Sequence, residues 1–118
     1  MKKVININVL LLFFLLISTE ILIAQESFYA RVVKVSDGDT FTVLEKSGRK
    51  TKIRLYGVDA PELKQEYGME AKKFTETILL NKNVKVEIKD KDIYGRVVAD
   101  IYLGNLHFNK EIVRTGNS

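Results

Sequence analysis

The stretch from Tyr29 to Val43, YARVVKVSDGDTFTV, decides the fold of the N-terminal half of the chain. Apolar and polar residues alternate on either side of a central Asp37-Gly38 pair. Alternation with a period of two predicts β-strands, and Asp-Gly is a strong hairpin signal. The segment therefore predicts two strands joined by a tight turn. The apolar positions expected to share one face are Val33, Val35, Phe41 and Val43.

Three further segments alternate in the same way. Residues 51–56 (TKIRLY) follow a Ser-Gly turn, residues 84–88 (VKVEI) come later, and residues 97–103 (VVADIYL) follow Tyr94-Gly95-Arg96. Each has the length and composition of a strand bounded by turn residues. The sequence thus predicts five strands.

Two helices are predicted between and after these strands. From Tyr67 to Leu80 the apolar positions recur at helical spacing, and Asn81 is expected to end the helix. Asn109 is a candidate N-cap for a second, short helix, with Gly116 as its C-terminal stop. Five strands with a helix between the third and fourth predict a mainly β, α+β domain: a small Greek-key barrel of the OB type, with two helices.

The first 24 residues have the layout of an export signal. Lys2 and Lys3 precede the apolar run Val9 to Ile17, and Ala24 supplies a small residue before a polar stretch. The alternative is a membrane anchor, but the apolar run is shorter than the ~20 residues that a spanning helix needs. We expect a signal peptide over residues 1–24 and a single domain over 25–118 that is secreted or periplasmic and keeps no stable membrane association.

Composition limits the chemistry that this domain can perform. Residues 25–118 carry 17 Lys plus Arg and 14 Asp plus Glu, a net charge of +3, which only slightly favours a polyanionic partner. The chain has no cysteine and one histidine, His107, so disulfides, thiolate metal sites and a structural zinc site are excluded. Any catalysis must therefore use carboxylates, arginines and an oxygen-preferring metal.

Charged residues concentrate where predicted strands meet loops, and each cluster has two interpretations. Asp37-Gly38-Asp39-Thr40 is explained in part by turn chemistry, although Asp39 stands where the strand should restart. Arg54 could be an ordinary outward-facing arginine, and Tyr94-Gly95-Arg96 a plain hairpin turn. Asp59-Ala60-Pro61-Glu62 could be an acidic helix entry.

The Asp59-Ala60-Pro61-Glu62 segment also fits a hard cation. Pro61 restricts Ala60 to extended backbone, which can aim the Ala60 carbonyl outward beside two carboxylates. Calcium takes six to eight oxygen ligands and tolerates irregular geometry. Asp39, Asp59 and the Ala60 carbonyl, completed by water, are therefore a plausible Ca²⁺ site.

Taken together, five blocks in order and spacing resemble the staphylococcal thermonuclease family, over about Tyr29 to Gly116. The blocks are Ser36 to Thr40 (SDGDT), Arg54 to Glu62 (RLYGVDAPE), Tyr67 to Ala71 (YGMEA), Tyr94 to Arg96 (YGR) and Asn109 to Gly116 (NKEIVRTG). The resemblance implies an OB-barrel phosphodiesterase that uses Ca²⁺ to cleave DNA and RNA, preferably single-stranded, and releases products ending in a 3′-phosphate.

The resemblance also implies a role for each matching residue. Asp39, Asp59 and the Ala60 carbonyl would be calcium ligands, and Glu62 would act on the attacking water as general base. Arg54 and Arg96 would bind the scissile phosphate and stabilise its transition state. Candidate substrate contacts are Tyr94, which could stack on a base, and Lys91, which could attract the polyanion.

The chain stops at Ser118, before the third helix expected in the family, so we expect a C-terminally truncated domain, acting as a monomer. Loss of that helix is expected to expose apolar side chains such as Val97, Ile101 and Ile112. Two alternatives to a nuclease follow. One is a truncated, inactive fragment, and the other is an OB module that binds single-stranded nucleic acid without cutting it.

Overall fold

The structure is a computed structural model that describes residues 6–12, 26–63 and 65–118. Residues 7–12 form a short exposed helical segment. Most of the predicted signal peptide lies outside the described residues. Within the described part of the chain, no helix is both long enough and apolar enough to span a membrane.

The domain is a closed five-stranded barrel with one short additional strand. Strand β1 pairs with β2 and β4, β2 pairs with β3, and β4 pairs with β5, all antiparallel. A parallel pairing of β3 with β5 closes the barrel, so the predicted five-stranded fold is confirmed. Strand β6, which was not predicted, pairs antiparallel with the C-terminal end of β5. The strands are β1 (Ser27–Asp37), β2 (Thr40–Leu44), β3 (Lys50–Leu55), β4 (Asn83–Lys91), β5 (Val97–Leu103) and β6 (Leu106–His107).

The predicted inward face of β1 is wrong at one position. Val32 is fully buried with Val35, whereas Val33 is only half-buried. The register between β1 and β2 shifts between Val32 and Lys34, which breaks the strict alternation of side chains. A bulge of this kind cannot be read from a period-two pattern, because the pattern itself assumes a regular strand.

Helix α1 (Gly68–Leu79) packs against β1, as its apolar spacing predicts. Phe74 and Ile78 pack against the edge of the core. The helix lies so close to the β1–β2 turn that a Cβ on Gly38 would stand 2.9 Å from the Cβ of Ala71. Gly38 is therefore required by the approach of the helix. The helix residues that are fully buried are Gly68, Ala71, Thr75 and Leu79.

Helix α2 (Phe108–Arg114) begins one residue before the predicted cap, and Asn109 is not the N-cap. His107 occupies that position without a side-chain capping bond. Asn109 is buried instead, where its Oδ1 accepts from the backbone N–H of Ile101 (2.8 Å) and its Nδ2 donates to the carbonyls of Tyr56 and Ala99 (3.0 Å each). The side chain thus joins α2 to the barrel.

The side chains expected to be exposed by truncation are buried. Val97 is 6% exposed, and Ile101 and Ile112 are fully buried. They belong to one core cluster with Phe41 and Phe108, to which β5 and α2 both contribute. The expectation of an exposed core at these three positions was wrong.

The hydrogen bond between α1 and the β1–β2 turn gives a test of the fold. Thr75 Oγ1 donates to the buried Gly38 carbonyl at 2.6 Å. Thr75→Val preserves the shape but leaves that carbonyl unsatisfied, which should lower the free energy of unfolding by about 1–3 kcal/mol. Urea denaturation measures this change.

Thr77→Val is the matched control, because among the described residues the exposed Thr77 side chain bonds only to the Lys73 carbonyl of its own helix. Its effect should stay within about 0.5 kcal/mol. Equal unfolding midpoints for the two variants would contradict the role given to Thr75.

Candidate active site

The carboxylate of Asp39 is buried, and both of its oxygens have partners. Asp39 follows Gly38 in the β1–β2 turn and is 6% exposed. Its Oδ1 accepts from Thr40 Oγ1 at 2.9 Å, and its Oδ2 accepts from the backbone N–H of Ala60 at 3.0 Å and lies 2.7 Å from Nη1 of Arg54. The carboxylate therefore joins the turn, β3 and the loop after β3.

The guanidinium of Arg54 is held in place from both sides. Arg54 faces Thr40 across the β2–β3 pair, which brings it beside Asp39. Its Nη1 also donates to the Val58 carbonyl at 2.6 Å, and its Nη2 lies 3.6 Å from Oδ1 of Asp59. Because the side chain is still 23% exposed, the guanidinium is ordered but accessible.

Asp39, Asp59 and Ala60 are brought together as the sequence predicted. Asp39 and Asp59 share one guanidinium, which leaves a net charge of −1 in this cluster. The Asp59 side chain is fully exposed. Within the described ranges no group of three or more His, Cys, Asp or Glu side chains could hold a metal. A cation here would therefore be held by two carboxylates, the Ala60 carbonyl and water, a donor set of hard oxygens that suits Ca²⁺.

Glu62 lies three residues after Asp59 in an exposed loop that is tied to α1. Its backbone N–H donates to Gln65 Oε1 at 2.8 Å, and its carbonyl accepts from the Gln65 N–H at 2.9 Å. A Cβ on Gly68 would lie only 1.9 Å from the Glu62 carbonyl oxygen, so the loop depends on glycine there. Its carboxylate makes no hydrogen bond or ion pair to the other described residues, which leaves it open to solvent.

Arg96 lies in the turn directly before β5, the strand that pairs with the strand bearing Arg54. Arg54 faces Val98 in the parallel β3–β5 ladder, and Arg96 is two residues before Val98, so the two arginines stand on neighbouring segments. Asp92 holds the Arg96 side chain, with Oδ2 accepting from Nε at 2.6 Å. The guanidinium also lies 5.7 Å from the centre of the Tyr94 ring.

Asp92 carries a shifted pKa as a result. Desolvation raises the pKa of its carboxyl, but hydrogen bonds from the backbone N–H and guanidinium of Arg96 and from the backbone N–H of Tyr94 lower it below its ordinary value. Because the pKa is lowered in the folded protein, these contacts stabilise the fold at pH values above the ordinary pKa of an aspartate. This stabilisation is lost as the pH falls through the lowered pKa.

The two predicted substrate contacts lie on the same hairpin. Lys91 ends β4 and is exposed, and the Tyr94 side chain is 78% exposed at the tip. The structure brings neither into contact with Asp39 or Arg54. Both therefore lie outside the cluster of Asp39, Arg54 and Asp59.

Sequence reasoning missed three groups that shape this site. Thr40 and the Val58 carbonyl hold the Asp39 and Arg54 side chains, and Asp92 holds Arg96. A signal existed only for Asp92, because Asp92-Ile93-Tyr94-Gly95 has the Asp and Gly positions of a type I turn. The other two contacts depend on how separate strands and loops meet in space.

His107 has surroundings that the sequence did not predict. Its Nε2 lies 2.8 Å from Oδ1 of Asp100, and its ring stacks on Tyr102. Lys89 approaches the other oxygen of Asp100 at 3.5 Å. His107, Asp100 and Lys89 border a cavity of about 550 Å³ that is lined by none of the predicted site residues.

Removal of Arg54 tests the geometry of the cluster. Arg54→Ala leaves the buried Asp39 carboxylate without its cation and the Val58 carbonyl without its donor. The free energy of unfolding should fall by about 1–3 kcal/mol, measured by urea denaturation in the presence of a chelator.

Arg49→Ala is the control, because the Arg49 side chain is 73% exposed and lies 3.9 Å from its one acidic partner, Glu45, within the described residues. That change should stay within about 0.5 kcal/mol. If the two variants unfold at the same urea concentration, Arg54 does not hold this cluster together.

Comparison with known proteins identifies the family. The family model described as "Staphylococcal nuclease homologue" matches residues 52–118. A protein of Haemophilus influenzae named "Uncharacterized endonuclease" is 40% identical over 115 residues, covering 98% of this chain and 62% of its own length. The "Thermonuclease" of Staphylococcus hyicus is 39% identical over 101 residues, covering 79% of this chain and 59% of its own length.

A second "Thermonuclease", from Staphylococcus intermedius, is 39% identical over 93 residues, covering 72% of this chain and 55% of its own length. The chain thus spans less than two thirds of the length of these relatives. The matched region includes most of β3, the loop that carries Asp59 and Glu62, and the hairpin that carries Arg96. The chain belongs to the staphylococcal nuclease family.

Proposed function

We propose that this protein is a calcium-dependent nuclease that hydrolyses phosphodiester bonds in DNA and RNA to give 3′-phosphate products. The observation that carries the proposal is the guanidinium of Arg54, held between Asp39 and the Val58 carbonyl, with Arg96 directly before the strand that pairs with β3. Two partly exposed arginines near the exposed carboxylates of Asp59 and Glu62 suit a phosphodiester, because planar guanidinium groups bind phosphate oxygens in pairs.

The arginines would stabilise the charge that develops during hydrolysis. Attack on phosphorus gives a five-coordinate transition state with extra negative charge on its oxygens. Arg54 is already ordered by its contacts, so its guanidinium needs little rearrangement when that charge develops. Arg96 would bind the same phosphoryl group from the turn that precedes β5.

Glu62 would act on the water. Its carboxylate is exposed and carries no partner within the described residues, so it can accept a proton. The water oxygen forms a bond to phosphorus as its proton passes to Glu62, and the bond from phosphorus to the 5′-oxygen breaks. The 5′-oxygen takes up a proton, which leaves a 5′-hydroxyl and a 3′-phosphate.

Asp39, Asp59 and the Ala60 carbonyl would hold the calcium ion. The excess negative charge that the two carboxylates leave beside Arg54 supports this assignment, since a cation would balance it. A bound Ca²⁺ would supply positive charge that neutralises the phosphoryl oxygens. Main-chain oxygen serves as the third ligand whatever the side chain, so alanine is acceptable at position 60.

The substrate proposal rests on the hairpin and the charge of the domain. The exposed Tyr94 ring can stack on an unpaired base, and Lys91 can approach the backbone, so we infer a preference for single strands. We further propose that the protein acts as a monomer and is exported after cleavage near Ala24. Mass determination of the secreted product should find residues 1–24 removed.

The activity is tested by digestion of a single-stranded DNA oligonucleotide with the purified protein. Cleavage should require Ca²⁺, stop in chelator, and yield ends that a 3′-phosphatase converts to 3′-hydroxyls. Binding without cleavage under both conditions would instead favour a module that only holds nucleic acid. Neither binding nor cleavage would favour an inactive fragment.

The two arginine roles give a quantitative prediction. Arg96→Ala removes one positioned donor, which typically costs ~2.7 to 4 kcal/mol of transition-state stabilisation, so kcat should fall about a hundredfold or more. Arg114→Ala, a change on α2 outside the cluster, should leave kcat within a factor of about two. A comparable loss in both variants would argue against a specific role for Arg96.

Glu62 is tested with a neighbour in the same loop. Glu62→Gln keeps the size of the side chain but cannot accept the proton, and kcat should fall roughly 10²- to 10⁴-fold. Glu66→Gln removes the same charge from another exposed position four residues away and should keep near-normal activity. Retained activity in Glu62→Gln would exclude Glu62 as the base.

A further inference from the structure

The turn between β4 and β5 is built around one carboxylate. Asp92 Oδ1 accepts from the backbone N–H of Tyr94 at 3.0 Å and of Arg96 at 2.9 Å. Its Oδ2 accepts from Nε of Arg96 at 2.6 Å. The backbone closes the same turn, since the Asp92 N–H donates to the Arg96 carbonyl at 3.0 Å. One side chain therefore fixes both the turn and the arginine that follows it.

This arrangement selects which edge of the guanidinium is available. Asp92 occupies the Nε edge of Arg96, and Tyr94 lies against the group with its ring centre 5.7 Å away. Among the described residues neither terminal nitrogen of Arg96 has a hydrogen-bond or ion-pair partner. The terminal edge, which can make two parallel bonds to phosphate oxygens, is thus left for a ligand.

We propose that Asp92 is a positioning residue for catalysis: by holding the Nε edge of Arg96, it presents the two terminal nitrogens of that guanidinium to the scissile phosphate. The proposal rests on the proposed nuclease function and adds a residue to it. Fixing the arginine before substrate arrives avoids loss of its rotamer freedom during the reaction.

A different consequence would follow if Asp92 acted only through its charge. A carboxylate beside a polyanion site repels the substrate, so its removal should tighten binding and leave the chemical step unchanged. Asp90 provides the comparison within the same hairpin. It is exposed, and its side chain bonds only to the backbone N–H of Lys91 among the described residues.

The experiment compares Asp92→Asn with Asp90→Asn in the purified protein, using a single-stranded oligonucleotide with Ca²⁺. Each change removes one negative charge. Asparagine at position 92 keeps an oxygen for the backbone N–H groups but loses the ion pair with Arg96. Thermal unfolding of each variant checks that the fold is retained.

Asp92→Asn should lower kcat roughly 10- to 100-fold with an unchanged or lower KM, the range found when a group that orients a ligand is removed. Asp90→Asn should leave kcat unchanged. In an Arg96→Ala background, Asp92→Asn should have no further effect on kcat. Equal kcat values for the two asparagine variants, or a full additional loss in the Arg96→Ala background, would overturn the proposal.

A second measurement does not depend on catalysis. Hydrogen exchange of the Arg96 Nε–H, followed by NMR in arginine-labelled protein, should be slow in the parent and fast in Asp92→Asn. If the parent protein fails to cleave DNA, the proposed function fails while this exchange difference still reports the held guanidinium. Equal exchange in both proteins overturns the positioning role whatever the activity.

Discussion

The ion pair between Arg54 and Asp39 is the contact on which the rest of the site depends. It joins the β1–β2 turn to β3, and its 2.7 Å separation brings together groups that are 15 residues apart in the chain. The same guanidinium reaches the Val58 carbonyl and Asp59, and Asp39 accepts from the Ala60 N–H, so the pair holds the loop after β3 from two sides. These charge-assisted hydrogen bonds act together with the burial of the Val58 side chain in the core.

Two glycines allow the segments around this contact to pack closely against α1. Gly38 lets α1 approach the β1–β2 turn, and Gly68 lets the loop bearing Glu62 fold back onto the start of the same helix. Thr75 then bonds to the Gly38 carbonyl from the helix side. The predicted general base, Glu62, and the predicted metal ligand Asp39 therefore both adjoin glycines that pack closely at α1, which links the stability of the fold to the geometry of the site.

Sequence periodicity was sufficient to predict the five strands and α1, because each of these elements buries one face and its apolar residues recur at regular spacing. It failed at Val33, where a bulge shifts the register, and at Asn109, whose side chain bonds to the barrel and not to its own helix end. Asp39, Arg54 and Asp59 were singled out from ordered motifs, and the structure places their side chains together, while their roles stay predictions. The groups that hold those side chains were not predicted, since such contacts arise between segments distant in sequence.

The most direct test of the central claim is digestion of a defined single-stranded DNA oligonucleotide in H₂¹⁸O with Ca²⁺, followed by mass analysis of the products. The account predicts one ¹⁸O atom in each new 3′-phosphate and an unlabelled 5′-hydroxyl, because water attacks phosphorus and the 5′-oxygen leaves. Label in a new 5′-phosphate would contradict the proposed direction of attack, and absence of any cleavage would contradict the assignment of this cluster as a nuclease site.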